Sequence, residues 1–124
     1  MSATILITDD TVFMRTSLKN ILNANGFDNV VEASNGQEAV GQYALHKPSV
    51  VLMDITMPVM DGISAVKMIR QMDPQAKIIM CSAMGQRNMV MDAVQAGAKD
   101  FIVKPFQADR VVESVRKLLG AEAA

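Results

Sequence analysis

This 124-residue chain contains few of the residues that build disulfide frameworks or zinc sites. It has one cysteine, one histidine and no tryptophan. The single Cys81 excludes an internal disulfide, and its place in an apolar run predicts a buried, reduced thiol. Cys81 and His46 do not make a zinc site, because such a site needs more nitrogen and sulfur ligands than these two residues supply.

The chain also lacks an excess of charge of either sign, and it lacks a long apolar run. Its formal net charge is −1, so no broad attraction to nucleic acid or to an anionic membrane is expected. No apolar run approaches the roughly 20 residues that span a bilayer, and the first residues resemble a strand, so no secretory signal is expected. We therefore expect a monomeric cytoplasmic protein with no nucleic-acid partner and no membrane partner.

Half of the residues are hydrophobic, and they follow strand-like and helix-like patterns in alternation. Apolar runs that are typical of strands occur at residues 4–8, 29–33, 50–53, 77–81 and 100–103. Apolar residues at helical spacing follow each run. This order predicts one domain over residues 1–124 with a doubly wound (βα)5 fold, in which helices cover both faces of a five-stranded parallel sheet. Residues 121–124 are expected to fray.

Three of the predicted strands have uninterrupted apolar runs, at residues 50–53, 78–81 and 101–103. A strand with one exposed face would alternate apolar and polar residues instead. The sequence therefore predicts that helices cover all three strands on both faces.

Residues able to bind a metal or a phosphoryl group follow four of the predicted strands. They are Asp9 and Asp10 after the first strand, Asp54 after the third, Ser82 after the fourth and Lys104 after the fifth. In an open α/β sheet, ligands bind outside the carboxyl ends of the strands. Three carboxylates, a hydroxyl and an ammonium at that edge favour a magnesium-dependent phosphoryl site.

Each of these residue types has a role in phosphoryl transfer. Gathered carboxylates repel one another until a cation joins them, and Mg2+ prefers oxygen ligands. A carboxylate such as Asp54 can also be the nucleophile that forms an aspartyl phosphate. Lys104 would place positive charge on the phosphoryl oxygens, and the Ser82 hydroxyl would donate a hydrogen bond to one of them.

Each residue also has a structural interpretation when it is taken alone. Asp10 could cap the helix that follows it, and Asp54 could be a turn residue before Pro58. Ser82 and Lys104 belong to types that usually serve structure or solvation. All of them fall at one end of the predicted elements, however, and this coincidence favours a functional site.

Seven motifs resemble those of response-regulator receiver domains, and they extend over essentially the whole chain. They are Ile5-Leu-Ile-Thr-Asp-Asp10, Leu52-Met-Asp-Ile-Thr-Met-Pro58, Met60-Asp-Gly62, Ser82-Ala83, Ala96-Gly-Ala98, Asp100-Phe101 and Val103-Lys-Pro-Phe106. The resemblance implies a flavodoxin-like sheet with strand order 2-1-3-4-5. Two residues depart from the usual pattern. Thr8 replaces an aliphatic residue and is expected to be tolerated in packing, and Phe101 lacks the hydroxyl of a tyrosine found in many relatives.

The resemblance implies a role for each residue of the site. Asp54 would accept the phosphoryl group, and Ser82 and Lys104 would contact it. Mg2+ would be bound directly by Asp10 and mostly through water by Asp9. The complete set of metal ligands would be Asp9, Asp10, Asp54 and the backbone carbonyl of Thr56.

A conformational switch is implied as well. Phe101 would change rotamer when Ser82 moves toward the phosphoryl group, and the Lys104-Pro105 peptide bond would be cis. The surface that contacts a partner would include Met89, Val90, Phe101 and Val103.

The motifs around Asp54, Ser82 and Lys104 are similar to those of stand-alone chemotaxis regulators of the CheY type. This similarity implies a phosphoprotein of a two-component system that controls flagellar rotation. A histidine kinase would donate the phosphoryl group, a flagellar motor switch protein would receive the signal, and a phosphatase would be a further partner. The chain would not be a turnover enzyme, because its chemistry would be limited to phosphoryl transfer to Asp54 and slow autodephosphorylation.

The residues leave three alternatives open. A stand-alone phosphorelay intermediate would have the same site and would pass its phosphoryl group to a second histidine protein. An aspartyl-phosphate phosphatase or phosphotransferase typically has a second aspartate two residues after the nucleophile, where this chain has Thr56. A flavodoxin-type electron carrier needs a phosphate-binding loop after the first strand, where Asp9 and Asp10 would repel a phosphate.

Overall fold

The computed structural model describes residues 3–83 and 85–120, so the predicted fraying of residues 121–124 lies outside the described part. The strands are β1 (Ile5–Thr8), β2 (Val30–Ala33), β3 (Val50–Asp54), β4 (Ile78–Ser82) and β5 (Asp100–Val103). The helices are α1 (Val12–Ala24), α2 (Gly36–His46), α3 (Gly62–Met72), α4 (Arg87–Ala96) and α5 (Ala108–Leu119). All strand pairs are parallel and the order is β2-β1-β3-β4-β5, which confirms the predicted fold. Within the described ranges, no helix is both long and apolar enough to cross a membrane.

The two faces of the sheet pack into separate cores, because successive strand residues point to opposite faces. One core lies on the side of α2, α3 and α4 and includes Leu6, Val51, Met53, Val66 and Ile69. The other lies on the side of α1 and α5 and includes Ile7, Leu18, Leu52, Val111 and Val115. β1 and β3 are buried along their whole length. Their carboxyl ends are therefore held firmly at the edge of the sheet where ligands are expected.

The prediction that helices cover residues 101–103 on both faces is wrong. Ile102 is 1% exposed, but Phe101 is 41% exposed and Val103 is 43% exposed. β5 is an edge strand, and Ile102 points toward the core shared with α5. Phe101 and Val103 point to the opposite face, where α4 leaves β5 partly uncovered. An apolar strand at the edge of a sheet can thus keep one face open.

Candidate metal and phosphoacceptor site

The three predicted carboxylates meet at the carboxyl end of the sheet. Thr8 at the end of β1 pairs with Met53 in β3, so the next residues, Asp9 and Asp54, lie side by side. One carboxylate oxygen from each of Asp9, Asp10 and Asp54 lies within 4.8 Å of the other two. Asp9 and Asp54 are buried, whereas Asp10 is exposed. The cluster therefore extends from the buried interior of the protein to the solvent.

Lys104 reaches this cluster from the end of β5. Its Nζ atom lies 3.1 Å from Asp9 Oδ2 and 3.1 Å from Asp54 Oδ2. Its backbone N–H donates to the carbonyl of Ser82 at 2.7 Å, which fixes the root of the side chain beside β4. The Lys104-Pro105 bond is cis, as predicted. The ammonium is therefore shared between two of the three carboxylates.

Ser82 completes the group of side chains predicted at the strand ends. It is the last residue of β4 and is 1% exposed. In the register of β3 and β4, Asp54 lies beside Cys81. Ser82 follows Cys81 and therefore lies one residue nearer to the edge of the sheet where ligands are expected. Asp54, Ser82 and Lys104 thus come from three adjacent strands.

The charges at this edge favour a divalent cation. Three carboxylates and one ammonium carry a net charge of −2 when all are ionised. Burial raises the pKa of Asp54, the Lys104 ammonium offsets this only in part, and Asp9 and Asp10 add to the rise. Burial lowers the pKa of Lys104, but the carboxylates of Asp54 and Asp9 outweigh it and raise the pKa overall. A further positive charge would relieve the repulsion that remains.

The donor atoms fit Mg2+ better than a softer metal. Mg2+ takes oxygen ligands and keeps several waters, so that few carboxylates suffice. The cluster offers carboxylate oxygens, and Asp10 at its exposed side gives access to water. The acidic pocket is therefore compatible with Mg2+.

The first turn of α1 holds Asp9 in place. Asp9 Oδ1 accepts hydrogen bonds from the backbone N–H and the hydroxyl of Thr11, at 2.9 and 3.0 Å. Its backbone carbonyl accepts one from Arg15 Nη1 at 2.6 Å. The Thr11 hydroxyl also accepts from the N–H of Met14 at 3.3 Å and so caps α1. The interpretation of Asp10 as the helix cap is therefore wrong, and its carboxylate belongs to the acidic cluster instead.

The loop between β3 and α3 packs against Asp54 because residue 62 has no side chain. The N–H of Gly62 donates to the carbonyl of Ile55 at 2.7 Å. A Cβ atom at Gly62 would collide with the backbone carbonyl of Asp54. Asp61 caps α3 by accepting the N–H of Ser64 at 2.8 Å. The Asp61-Gly62 pair thus fixes the backbone that carries Asp54.

A groove of about 620 Å3 lies between α4 and the open face of β5, and we call it the α4–β5 groove. Its large apolar lining residues are Val90, Met91, Val94, Phe101 and Val103. Ser82 lines it too, so the groove adjoins the candidate site. Met89 does not line it, and its Sδ atom lies 3.6 Å from Gln86 Nε2. Three of the four predicted surface residues thus share one groove, and a role for Met89 stays a prediction.

Sequence reasoning gave no structural role to three residues that shape the site: Arg15, Gly62 and Gln86. Gly62 had a signal, since glycine directly after a capping aspartate marks a close approach of two backbone segments. Arg15 and Gln86 had none, because their contacts depend on loop conformation. Gln86 contacts Thr56, which lies 30 positions earlier in the chain.

Residues 5–116 match the response regulator receiver domain. The chain belongs to this family. The receiver domain is 64% identical over 119 residues to the Chemotaxis protein CheY of Bacillus subtilis (strain 168), an alignment that covers 96% of this chain and 99% of that protein. It is 57% identical over 118 residues to the Chemotaxis protein CheY of Thermotoga maritima, with coverage of 95% and 98%. The chain is thus a CheY-type receiver domain of two-component signalling.

Solved structures agree with this assignment of the receiver domain. In the CheX-CheY-BeF3-Mg+2 complex from Borrelia burgdorferi, a chain that is 39% identical superposes with a TM-score of 0.89, covering 95% of this chain and 90% of that chain. NtrX from Brucella abortus, 30% identical, gives a TM-score of 0.89 over 96% of this chain, which spans 27% of the NtrX chain. The same fold therefore occurs within longer proteins, whose activities do not transfer to this chain.

Proposed function

We propose that this receiver domain is a phosphorylation-activated switch of a chemotaxis pathway. It accepts a phosphoryl group from a histidine kinase onto Asp54 with the help of Mg2+. Phosphorylation then changes its affinity for a flagellar motor switch protein. The observation that supports this most strongly is the position of Asp54 in the three-carboxylate cluster, with its Oδ2 atom 3.1 Å from Lys104 Nζ.

Asp54 is the nucleophile of the proposed transfer. Its carboxylate oxygen attacks the phosphorus atom, and the bond from phosphorus to the histidine nitrogen of the kinase breaks. Lys104 lies close enough to Asp54 to stay beside the incoming phosphoryl group and to balance charge on its oxygens. The Ser82 hydroxyl donates to another of these oxygens. Positioning and charge balance therefore account for most of the catalysis.

The metal ligands of the proposal are Asp9, Asp10, Asp54 and the backbone carbonyl of Thr56. Asp10 binds directly, and Asp9 acts mostly through water. When bound, Mg2+ supplies the positive charge that lets an anionic phosphoryl group approach the acidic cluster. The burial of Asp9 between Thr11 and Lys104 supports the division of roles, because both of its oxygens already have partners.

The output of the switch is proposed to pass through the α4–β5 groove. Ser82 lines the groove at the site, and Phe101 lines it on β5 with 41% of its surface exposed. When Ser82 moves toward the phosphoryl group, Phe101 turns inward and changes the shape of the groove. An amphipathic helix of the motor switch protein then binds along Val90, Phe101 and Val103.

A phosphatase is proposed as a further partner, with the domain acting as a cytoplasmic monomer. The Borrelia burgdorferi structure supports a second protein partner, since it is a complex of CheX with CheY, BeF3 and Mg2+. A phosphorelay intermediate would use the same residues and differs only in its acceptor. A turnover phosphatase fits less well, because Thr56 stands where its second aspartate is expected.

The proposal is tested by incubating the protein with acetyl phosphate and Mg2+ and measuring the intact mass. We expect the mass of one phosphoryl group to be added, in a bond that is labile in base and is cleaved by hydroxylamine, as an acyl phosphate is. Asp54→Asn should not be modified, and chelation of Mg2+ should prevent the reaction. Full modification of Asp54→Asn would show that another residue is the acceptor.

A further inference from the structure

The side chain of Gln86 joins the two loops that border the phosphoacceptor. Its Oε1 atom accepts the backbone N–H of Ala83 at 2.6 Å. Its Nε2 atom donates to the hydroxyl of Thr56 at 2.9 Å. Ala83 follows β4, and Thr56 follows Asp54 by two residues beyond β3. The carboxamide of Gln86 therefore links the loops that follow β3 and β4.

The Ala83 N–H points toward the strand that carries Asp54. The carbonyl of Ser82 accepts from Lys104 on the β5 side of β4. In a trans peptide unit, the carbonyl and the following N–H point in opposite directions. The N–H of Ala83 is therefore directed to the β3 side. A donor aimed at the phosphoacceptor strand is thus occupied by the amide oxygen of Gln86.

A phosphoryl group on Asp54 would place anionic oxygens at this same edge. A backbone N–H directed there bonds an anionic oxygen more strongly than it bonds a neutral amide oxygen. The Ala83 N–H cannot form two full hydrogen bonds at once, so its hydrogen bond to Gln86 must weaken or break. Its hydrogen bonds to Ala83 and Thr56 thereby favour the unphosphorylated conformation.

From these contacts we infer that Gln86 is a latch, a positioning residue that competes with the phosphoryl group for the Ala83 N–H and sets the balance between the resting and activated states. This inference rests on the proposed function, because it requires Asp54 to carry the phosphoryl group. It assigns to Gln86 an effect on activation and not on Mg2+ binding. The side-chain hydrogen bonds of Gln86 go to Ala83, Thr56 and Met89 and not to the carboxylates of the cluster.

The test uses beryllofluoride with saturating Mg2+ as the probe, titrated by calorimetry into the full chain. Gln86→Ala removes the competitor and should bind beryllofluoride about three- to tenfold more tightly, the range expected for one net hydrogen bond. Gln86→Glu keeps an acceptor for Ala83 and adds a negative charge that repels the anion, so it should bind more weakly than wild type. A purely structural role would not move the two variants in opposite directions.

Two further measurements make the result specific. The amide resonance of Ala83 should change in Gln86→Ala before any ligand is added, and the affinity for Mg2+ alone should equal that of wild type. Gln86→Leu also removes both side-chain hydrogen bonds but keeps much of the side-chain volume, and it should tighten beryllofluoride binding in the same direction as Gln86→Ala. Gln86→Leu supplies the answer if Gln86→Ala does not fold.

The outcomes separate this inference from the proposed function. If wild type does not bind beryllofluoride, the proposed function is wrong and the latch with it. If wild type binds, but Gln86→Ala binds equally well or more weakly, the latch is wrong and the proposed function stands. Tighter binding by Gln86→Ala together with weaker binding by Gln86→Glu supports the latch.

Discussion

At the level of single residues, Asp54 is held in an environment that disfavours its charged form. Only 6% of the residue is exposed, and two further carboxylates lie within 4.8 Å. Lys104 offsets part of this cost but not all of it, so the pKa of Asp54 is raised. The same features that make the site costly to fold make it ready to receive a cation.

Asp54→Asn is therefore expected to stabilise the fold in the absence of metal. A raised pKa in the folded state means that the contribution of this carboxyl to stability is fully present below its unfolded pKa of about 3.9 and is lost as pH rises through the folded value. The asparagine variant avoids this loss. It should melt several degrees above wild type at about pH 7, with a smaller difference at about pH 4.

Thermal melting followed by circular dichroism in a chelating buffer measures this difference. Asp28→Asn is the matched control, because Asp28 is an exposed aspartate outside the acidic cluster. Its melting temperature should follow that of wild type at both pH values. A variant at Asp54 that melts below wild type at neutral pH would contradict the account of the buried charge.

Thr8 carries a different kind of buried polar atom. Thr8 is 1% exposed. Among the side chains of the described residues, its Oγ1 atom is the one buried oxygen or nitrogen that lacks a hydrogen-bond partner. An unpaired buried hydroxyl costs free energy, whereas an apolar group of the same shape does not. The predicted tolerance of Thr8 in packing is therefore accompanied by a cost in stability.

Thr8→Val should raise the free energy of unfolding by about 1 kcal/mol, because valine keeps the shape and removes the unpaired hydroxyl. Ser114→Ala is the matched comparison. Ser114 is completely buried, but its Oγ atom donates to Asp100 Oδ2 at 2.6 Å. Its loss should lower the free energy of unfolding by about 1–2 kcal/mol. Urea unfolding checks both values, and destabilisation by Thr8→Val would show that its hydroxyl has a partner after all.

At the level of elements, the edge strand β5 and the helix α4 form the α4–β5 groove together. The three consecutive apolar residues Met89, Val90 and Met91 do not by themselves define which face of α4 points toward β5. The burial of Ala93 fixes the rotation of the helix and turns Met91 and Val94 into the groove. The sequence therefore predicted three residues of the groove, Val90, Phe101 and Val103, but not its complete lining.

A charge placed in the groove should weaken partner binding without affecting the site. Val94 lines the groove and is 48% exposed, so Val94→Asp leaves the core intact. It should weaken binding of the beryllofluoride-loaded protein to the motor switch protein at least about tenfold, or about 1.4 kcal/mol, because the charge would be buried by the partner helix.

The control is Leu45→Asp on α2. Leu45 is 74% exposed and lies outside the groove lining. Calorimetry should give wild-type affinity for Leu45→Asp, and both variants should bind beryllofluoride and Mg2+ normally. Equal losses for the two variants, or none for Val94→Asp, would place the partner on another surface.

At the level of the whole molecule, parallel strand order explains why the site was readable from the sequence. Apolar runs that end in Asp9, Asp54, Ser82 and Lys104 bring these residues to one edge, whatever the details of the loops. The acidic cluster follows the expectation for this reason, whereas the cis bond at Pro105 was expected from the family resemblance alone.

Contacts made by loop side chains could not be read in the same way. The bridge from Gln86 to Thr56 and the bond from Arg15 to the carbonyl of Asp9 depend on backbone paths that periodicity does not specify. The open face of β5 likewise depends on how far α4 extends over the edge of the sheet. These are the features on which the proposed switching depends.

The measurement that tests the switch most directly is a comparison of backbone amide NMR spectra with and without beryllofluoride and Mg2+. The account predicts large shifts that extend from Asp54 through Ser82 and Ala83 to Phe101 and α4, while α2 stays unchanged. Mg2+ alone should shift only the residues around the acidic cluster. Changes that end at the metal site when beryllofluoride is bound would contradict the account.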